Sequence, residues 1–141
     1  MLEKDAILSK ISIIKKCLNS IQIVTGLDPT KLDDFIVEDV FVLNLQRAIQ
    51  ASIDIANIII AMNGWRLPAS YKDSFKELLK QKIIDQATFE QMSKMVGFRN
   101  ISVHEYQELN RAILESILKN NLIDLENYYS LIYTRFVKEK R

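Results

Sequence analysis

Only three glycines and two prolines interrupt the 141 residues of this chain. An all-β chain needs a tight turn every few residues, so this scarcity predicts long helices joined by short connections. Apolar residues make up 48% and charged residues 26%, an ordinary globular balance. The length is enough for one hydrophobic core, and the whole chain, 1–141, is expected to form a single domain. The expected class is all-α, an up-and-down bundle of about five or six helices.

Hydrophobic periodicity places the elements. Ile7, Ile11, Ile14, Leu18 and Ile21 recur at helical spacing, with Leu8 widening the stripe, and predict a first helix over about Leu2–Val24. Gly26 stands where a left-handed residue ends a helix, and Pro29 is suited to open whatever follows. A second helix is expected from about Asp33 to Met62, stopped by Asn63-Gly64. From Ala48 onward it is apolar most of the way round, as a central helix would be. Ser70 and Asp73 resemble a capping box that opens a short helix, Tyr71–Lys80. The next begins near Asp85, turns Phe89, Met92, Met95 and Val96 inward, and runs into Gly97-Phe98-Arg99. Two further helical stretches are expected over about Leu109–Lys119 and Asp124–Lys138.

Composition excludes several classes of function. With 19 basic and 18 acidic residues the net charge is +1, so any RNA binding must come from a local patch. The single cysteine, Cys17, cannot make an intramolecular disulfide and reads as a small packing residue. The N-terminus carries mixed charge rather than a targeting pattern. The most apolar stretch, Ile53–Met62, is interrupted by Asp54 and Asn57 and falls short of the ~20 residues of a membrane span. A cytoplasmic protein without membrane contact is expected. There is no glycine-rich phosphate loop, and one histidine cannot build a multi-histidine zinc site, so neither metal nor cofactor is expected.

That histidine, His104, lies in Arg99-Asn100-Ile101-Ser102-Val103-His104-Glu105-Tyr106. On an ideal helix Arg99 and His104 stand roughly 140° apart, whereas Asn100 and His104 are an i, i+4 pair and Arg99 shares a face with Tyr106. Arg99 and His104 can meet on one substrate only if the helix distorts between them or a second chain completes the site. The middling helix formers Ile101, Ser102 and Val103 leave the first route open. The residue types suit a phosphodiester. A guanidinium offers a rigid fork of donors to phosphate oxygens. An imidazole exchanges a proton near neutrality, so the pair can cleave RNA through the 2′-hydroxyl without a metal. Asn100 is a candidate to orient His104 or bind phosphate, and Tyr106 to bind substrate or accept a modification. The plainer reading makes His104 a packed or capping residue and gives Arg99 a carboxylate partner.

On the second helix Arg47, Gln50, Asp54 and Asn57 fall within an arc of roughly 80°, one polar stripe on an apolar helix. It is either the back wall of an active cleft or a device for fixing bundle register, the latter built on an Arg47–Asp54 pair. Asp33, Asp34, Glu38 and Asp39 read as a helix-start charge cluster. The basic tail from Arg135 to Arg141 reads as a solvated helix end, and Tyr128, Tyr129 and Tyr133 as core or subunit contact rather than a base-stacking platform.

The spacing of Arg99, His104 and Tyr106, with Asn100 directly after the arginine, resembles the signature of the HepT-like toxins of the HEPN superfamily. Gln46-Arg47-Ala48-Ile49-Gln50 leading into Ile53-Asp54-Ile55-Ala56-Asn57 is similar to that family's central helix. Pro68-Ala69-Ser70-Tyr71, followed by Phe75 and Leu78-Leu79, is similar to its connector. Ile58 departs from the pattern, which has a histidine there. The resemblance implies a helical bundle that dimerises, with two motifs facing one cleft, and a metal-independent RNase acting as a toxin. Its implied catalytic residues are Arg99 and His104, with support from Asn100, Tyr106, Asp54, Asn57 and Arg47. Its implied partner is a minimal nucleotidyltransferase antitoxin that transfers AMP from ATP onto Tyr106. A rival reading is a non-catalytic dimeric module that binds nucleotide or a nucleotidyltransferase.

Overall fold

A computed structural model describes residues 2–104 and 109–138, with only the backbone of His104. Helix α1 spans Leu2–Thr25, α2 Phe35–Met62, α3 Tyr71–Lys80 and α4 Gln86–His104. A final helical run, α5, passes without interruption through Arg111–Ser116, a π-helical turn at Ile117–Asn121, Leu122–Ile132 and a second π-helical turn at Tyr133–Val137. No strand occurs among the described residues.

Helices α1 and α2 form the most extensive pairing. Ile7, Ile11, Ile14 and Ile21 of α1 are buried, as the stripe predicts, with Cys17 beside them, while Leu18 is only half-buried and Leu8 lies 44% exposed. Burial pushes the Cys17 thiol up in pKa, with the Arg47 charge opposing, so this cysteine is a packing group rather than a nucleophile. Helix α2 is the central helix. Ala48, Ile49, Ile53, Ile55, Ala56, Ile59 and Ile60 are all buried, and α2 packs on α1, α3, α4 and α5 in turn. Each fully buried isoleucine of this kind contributes about 1.5–3 kcal/mol.

The helix ends follow local chemistry. Gly26 adopts φ +58° and Gly64 φ +68°, the left-handed region in which a side chain would be strained. The second helix begins at Phe35 rather than Asp33, because Pro29 starts a 3₁₀ turn over Pro29–Asp33. Asp28 caps that turn at Thr30 N, and Asp34 then caps α2 by accepting from Ile36 N at 2.9 Å. Ser70 caps α3, accepting from Asp73 N at 3.2 Å. Two separate last helices were expected where one run is found. No glycine or proline lies between Lys119 and Asp124 to stop it, and the π turn absorbs the shift in register.

Long-range anchors fasten α5. The Tyr128 hydroxyl donates to the Ser52 carbonyl at 3.0 Å, and its ring meets Phe75 edge-on at 5.6 Å, tying α5 to α2 and α3. Tyr128 is therefore core. At the start of α5 the Arg111 guanidinium pairs with Asp33 at 2.7 Å and Glu115 at 3.3 Å, and donates to the Pro29 carbonyl at 3.2 Å. The acidic cluster thus caps α2 through Asp34 and holds α5 through Asp33.

Candidate functional site

The motif opens on the last turns of α4. Phe98 and Ser102 are buried, and the Ser102 hydroxyl donates back to the Arg99 carbonyl at 2.9 Å. Fixing these two residues inward leaves Arg99 half-buried and Asn100 exposed. The backbone remains α-helical from Gln86 through His104, so no distortion breaks the register between positions 99 and 104. The two positions keep their separation of roughly 140° about the axis. The His104 side chain, Glu105 and Tyr106 lie outside the described residues.

Two contacts orient Arg99. Its Nη1 donates to Asn100 Oδ1 at a long 3.3 Å, and its Cζ stands 5.2 Å from the ring centroid of Tyr71. A guanidinium stacked on an aromatic ring engages the ring through its face and keeps its N–H donors at the edge, available to a phosphate. Tyr71 is the first residue of α3 and has no place among the site residues read from sequence. The contact joins two distant segments, and no local pattern signals it.

The α2 stripe reaches the motif through α3. Asn57 Oδ1 accepts from the Ser74 hydroxyl at 2.7 Å, and Ser74 lies one turn beyond Tyr71. Asn57 therefore seats the helix whose first residue carries Arg99. Asp54 faces the other way: its Oδ1 accepts from Gln50 Nε2 at 2.9 Å and its Oδ2 pairs with Lys10 of α1 at 3.0 Å. The carboxylate thus goes to Lys10 and not to Arg47. Gln50 Oε1 is buried with no hydrogen-bond partner among the described residues. Arg47 is exposed and forms no hydrogen bond or ion pair among the described residues. Ile58, the departure from the family pattern, is half-buried against the core.

Among the described residues no group of three or more His, Cys, Asp or Glu side chains converges on a metal position. No helix among them is long and apolar enough to cross a membrane.

A family model described as Ribonuclease HepT-like matches residues 13–132. The chain belongs to the HepT-like ribonuclease family. Within it, the chain is 41% identical over 128 residues to the mRNA nuclease HepT of Shewanella oneidensis, covering 91% of this chain and 96% of that relative. Among solved structures it is similar to a toxin-antitoxin complex with AMP-PNP, at 40% identity and TM-score 0.88, covering 93% of this chain and 99% of the other. It is equally similar to the tri-AMPylated Shewanella oneidensis HEPN toxin in complex with MNT antitoxin. That match has 41% identity and TM-score 0.88 over 93% of this chain and 98% of the other. The cytosolic protein YutE of Bacillus subtilis, 20% identical with TM-score 0.70, shares the fold. The fold and the motif on α4 thus sit in a family of helical ribonucleases.

Proposed function

We propose that this HepT-like protein is the toxin of a toxin–antitoxin pair, a cytoplasmic single-domain endoribonuclease that cleaves RNA without a metal. The observation that carries this reading is the unbroken helix beneath the motif. With α4 regular through His104, Arg99 and His104 occupy different faces of one chain. A homodimer in which two motifs face each other brings an arginine and a histidine onto one phosphate.

In this reading His104 takes the proton from the 2′-hydroxyl, or returns one to the leaving oxygen. Arg99, stacked on Tyr71, directs its remaining donors at the phosphate and stabilises charge that develops there. Asn100 supports Arg99 through its side-chain oxygen. Asn57 acts indirectly by seating α3 through Ser74, and Asp54 by tying α2 to α1 through Lys10, while Arg47 supports the site from the exposed surface of α2. Tyr106 is both a site residue and the acceptor of AMP from a minimal nucleotidyltransferase antitoxin. The adduct adds phosphate charge and bulk beside Arg99, where substrate phosphate binds, and so silences the enzyme. The similarity to a tri-AMPylated HEPN toxin held by its MNT antitoxin supports this regulation.

Purified protein is expected to cleave RNA in the presence of a chelator, and His104→Ala to lower the rate by about a hundredfold or more. Undiminished cleavage by that variant overturns the assignment. With the antitoxin and ATP, intact mass is expected to rise by AMP units in wild type and not in Tyr106→Phe.

A further inference from the structure

A net charge of +1 gives the chain no general attraction for a polyanion, so a local surface must supply it. Helix α3 carries such a surface. Lys72, Lys76 and Lys80 are exposed and recur every four residues, within an arc of roughly 80° on one side of the helix. None of the three forms an ion pair among the described residues. The carboxylates of the same helix, Asp73 and Glu77, stand only roughly 20° and 60° beyond Lys80 about the axis, and Glu77 already accepts from Gln81 Nε2 at 2.8 Å. Arg66, from the connector before α3, lines a groove of about 540 Å³ together with Lys76, Lys80, Asp73 and Glu77, so that three cations face two carboxylates there.

Four other cations are engaged elsewhere. Lys10 is held by Asp54, Arg111 by Asp33 and Glu115, Arg135 donates to the Lys82 carbonyl, and Lys15 stands over the Tyr129 ring. The α3 row is also the one that starts beside the candidate site. Lys72 directly follows Tyr71, the residue on which Arg99 rests, and stands about 100° round the helix from it, so the row winds away from the Arg99 side. Successive lysines are separated by a rise of about 6 Å along the axis, a step comparable to that between neighbouring phosphates of an extended single strand.

We propose that Lys72, Lys76 and Lys80 form an RNA-guiding surface that binds the backbone of single-stranded substrate on one side of the phosphate held at Arg99. This rests on the ribonuclease reading and adds the path of the strand to it. The lysines are positioning residues: as point charges on flexible stems they bind phosphates without reading bases.

The test uses the full chain and a triple variant, Lys72→Gln, Lys76→Gln and Lys80→Gln, whose helix propensity is nearly unchanged. Binding of a 2′-O-methyl oligonucleotide long enough to span α3, which resists cleavage, is followed by fluorescence anisotropy over a salt series. Cleavage of the matching RNA and of a dinucleotide is measured in parallel. The variant is expected to bind roughly tenfold more weakly, and the slope of log affinity against log salt to fall by about 2, from three lost single-strand contacts. KM for the long RNA should rise with kcat preserved, and dinucleotide cleavage should not change. A charge-matched triple variant at Lys16, Lys31 and Lys138 serves as control. Wild-type affinity and salt slope in the α3 variant overturn the proposal, as does an equal effect of the control. Unchanged RNA binding with lost neutralisation by the antitoxin also overturns it and assigns the row to the protein partner. If wild type binds through the row but cleaves nothing, the ribonuclease reading fails while the surface stands.

Discussion

Helices α2 and α4 both set polar residues into apolar surroundings, and they use them in opposite ways. On α2, Asp54 is held by Lys10 and Gln50, and Asn57 by Ser74, so these groups fasten one helix to the next. On α4, Arg99 rests on the Tyr71 ring and one long hydrogen bond to Asn100. A guanidinium has five N–H donors, and among the described residues only one of them is engaged in a hydrogen bond. A polar side chain with its hydrogen bonds satisfied inside the fold specifies register. One that is oriented but left largely unbonded is prepared for a ligand. On the proposed reading α2 is the support and the end of α4 is the working part.

The largest effect is expected on removing Arg99. Arg99→Ala is expected to lower kcat/KM for RNA by roughly a thousandfold, with the melting temperature unchanged, since the side chain is half-buried and pairs with no carboxylate among the described residues. An equal loss of stability would make Arg99 another structural polar group.

Tyr71 sharpens the same point with a smaller effect. Tyr71→Ala removes the surface beneath Arg99 and should cost about two- to fivefold in kcat/KM, whereas Tyr71→Phe keeps the ring and should restore wild-type kinetics. If the phenylalanine variant fails like the alanine one, the hydroxyl and not the ring matters.

Ser74→Ala tests the supporting side. It leaves the Asn57 acceptor without its 2.7 Å partner and is expected to destabilise the fold by about 1–2 kcal/mol, a few degrees in thermal melting. Abolished cleavage at full stability would instead place Asn57 in direct contact with substrate.

The smallest expected effect separates both regions from the turns. Amide hydrogen bonds from Thr30 and Thr88 hold the Asp28 and Asp85 carboxyls below their usual range. Their contribution to stability is therefore present above the unfolded-state pKa and lost as pH falls through the lower folded value. Asp28→Asn with Asp85→Asn should flatten the acid limb of the stability profile and leave cleavage near neutrality alone. An unchanged acid limb removes these caps from the account.

What the sequence revealed depended on how local the cause was. The apolar stripe on α1, the helix end at Gly26, the opening residue Pro29 and the Ser70 cap each rest on neighbouring residues. Each was legible for that reason. The uninterrupted α5 was not, because a π turn accommodates residues that read as a break. The partner of Asp54 was misjudged for a related reason. Arg47 shares its helix face, but Lys10 arrives from α1, and only the packing of α1 on α2 decides between them. Tyr71 was visible merely as part of a connector, since its role depends on where α3 meets α4. The pattern of Arg99, His104 and Tyr106 pointed to the family, which the match over residues 13–132 bears out.

The central claim is that the arginine and histidine of one active site come from different copies of the chain. Arg99→Ala and His104→Ala are each prepared as inactive proteins, unfolded together, refolded at equal ratio, and assayed on RNA, with mixed dimers quantified by native mass. In random pairing half of the dimers are mixed, and each holds one intact site of two, so activity should return to about a quarter of the wild-type rate. No recovery in a sample shown to contain mixed dimers would contradict the account and return both residues to a single chain.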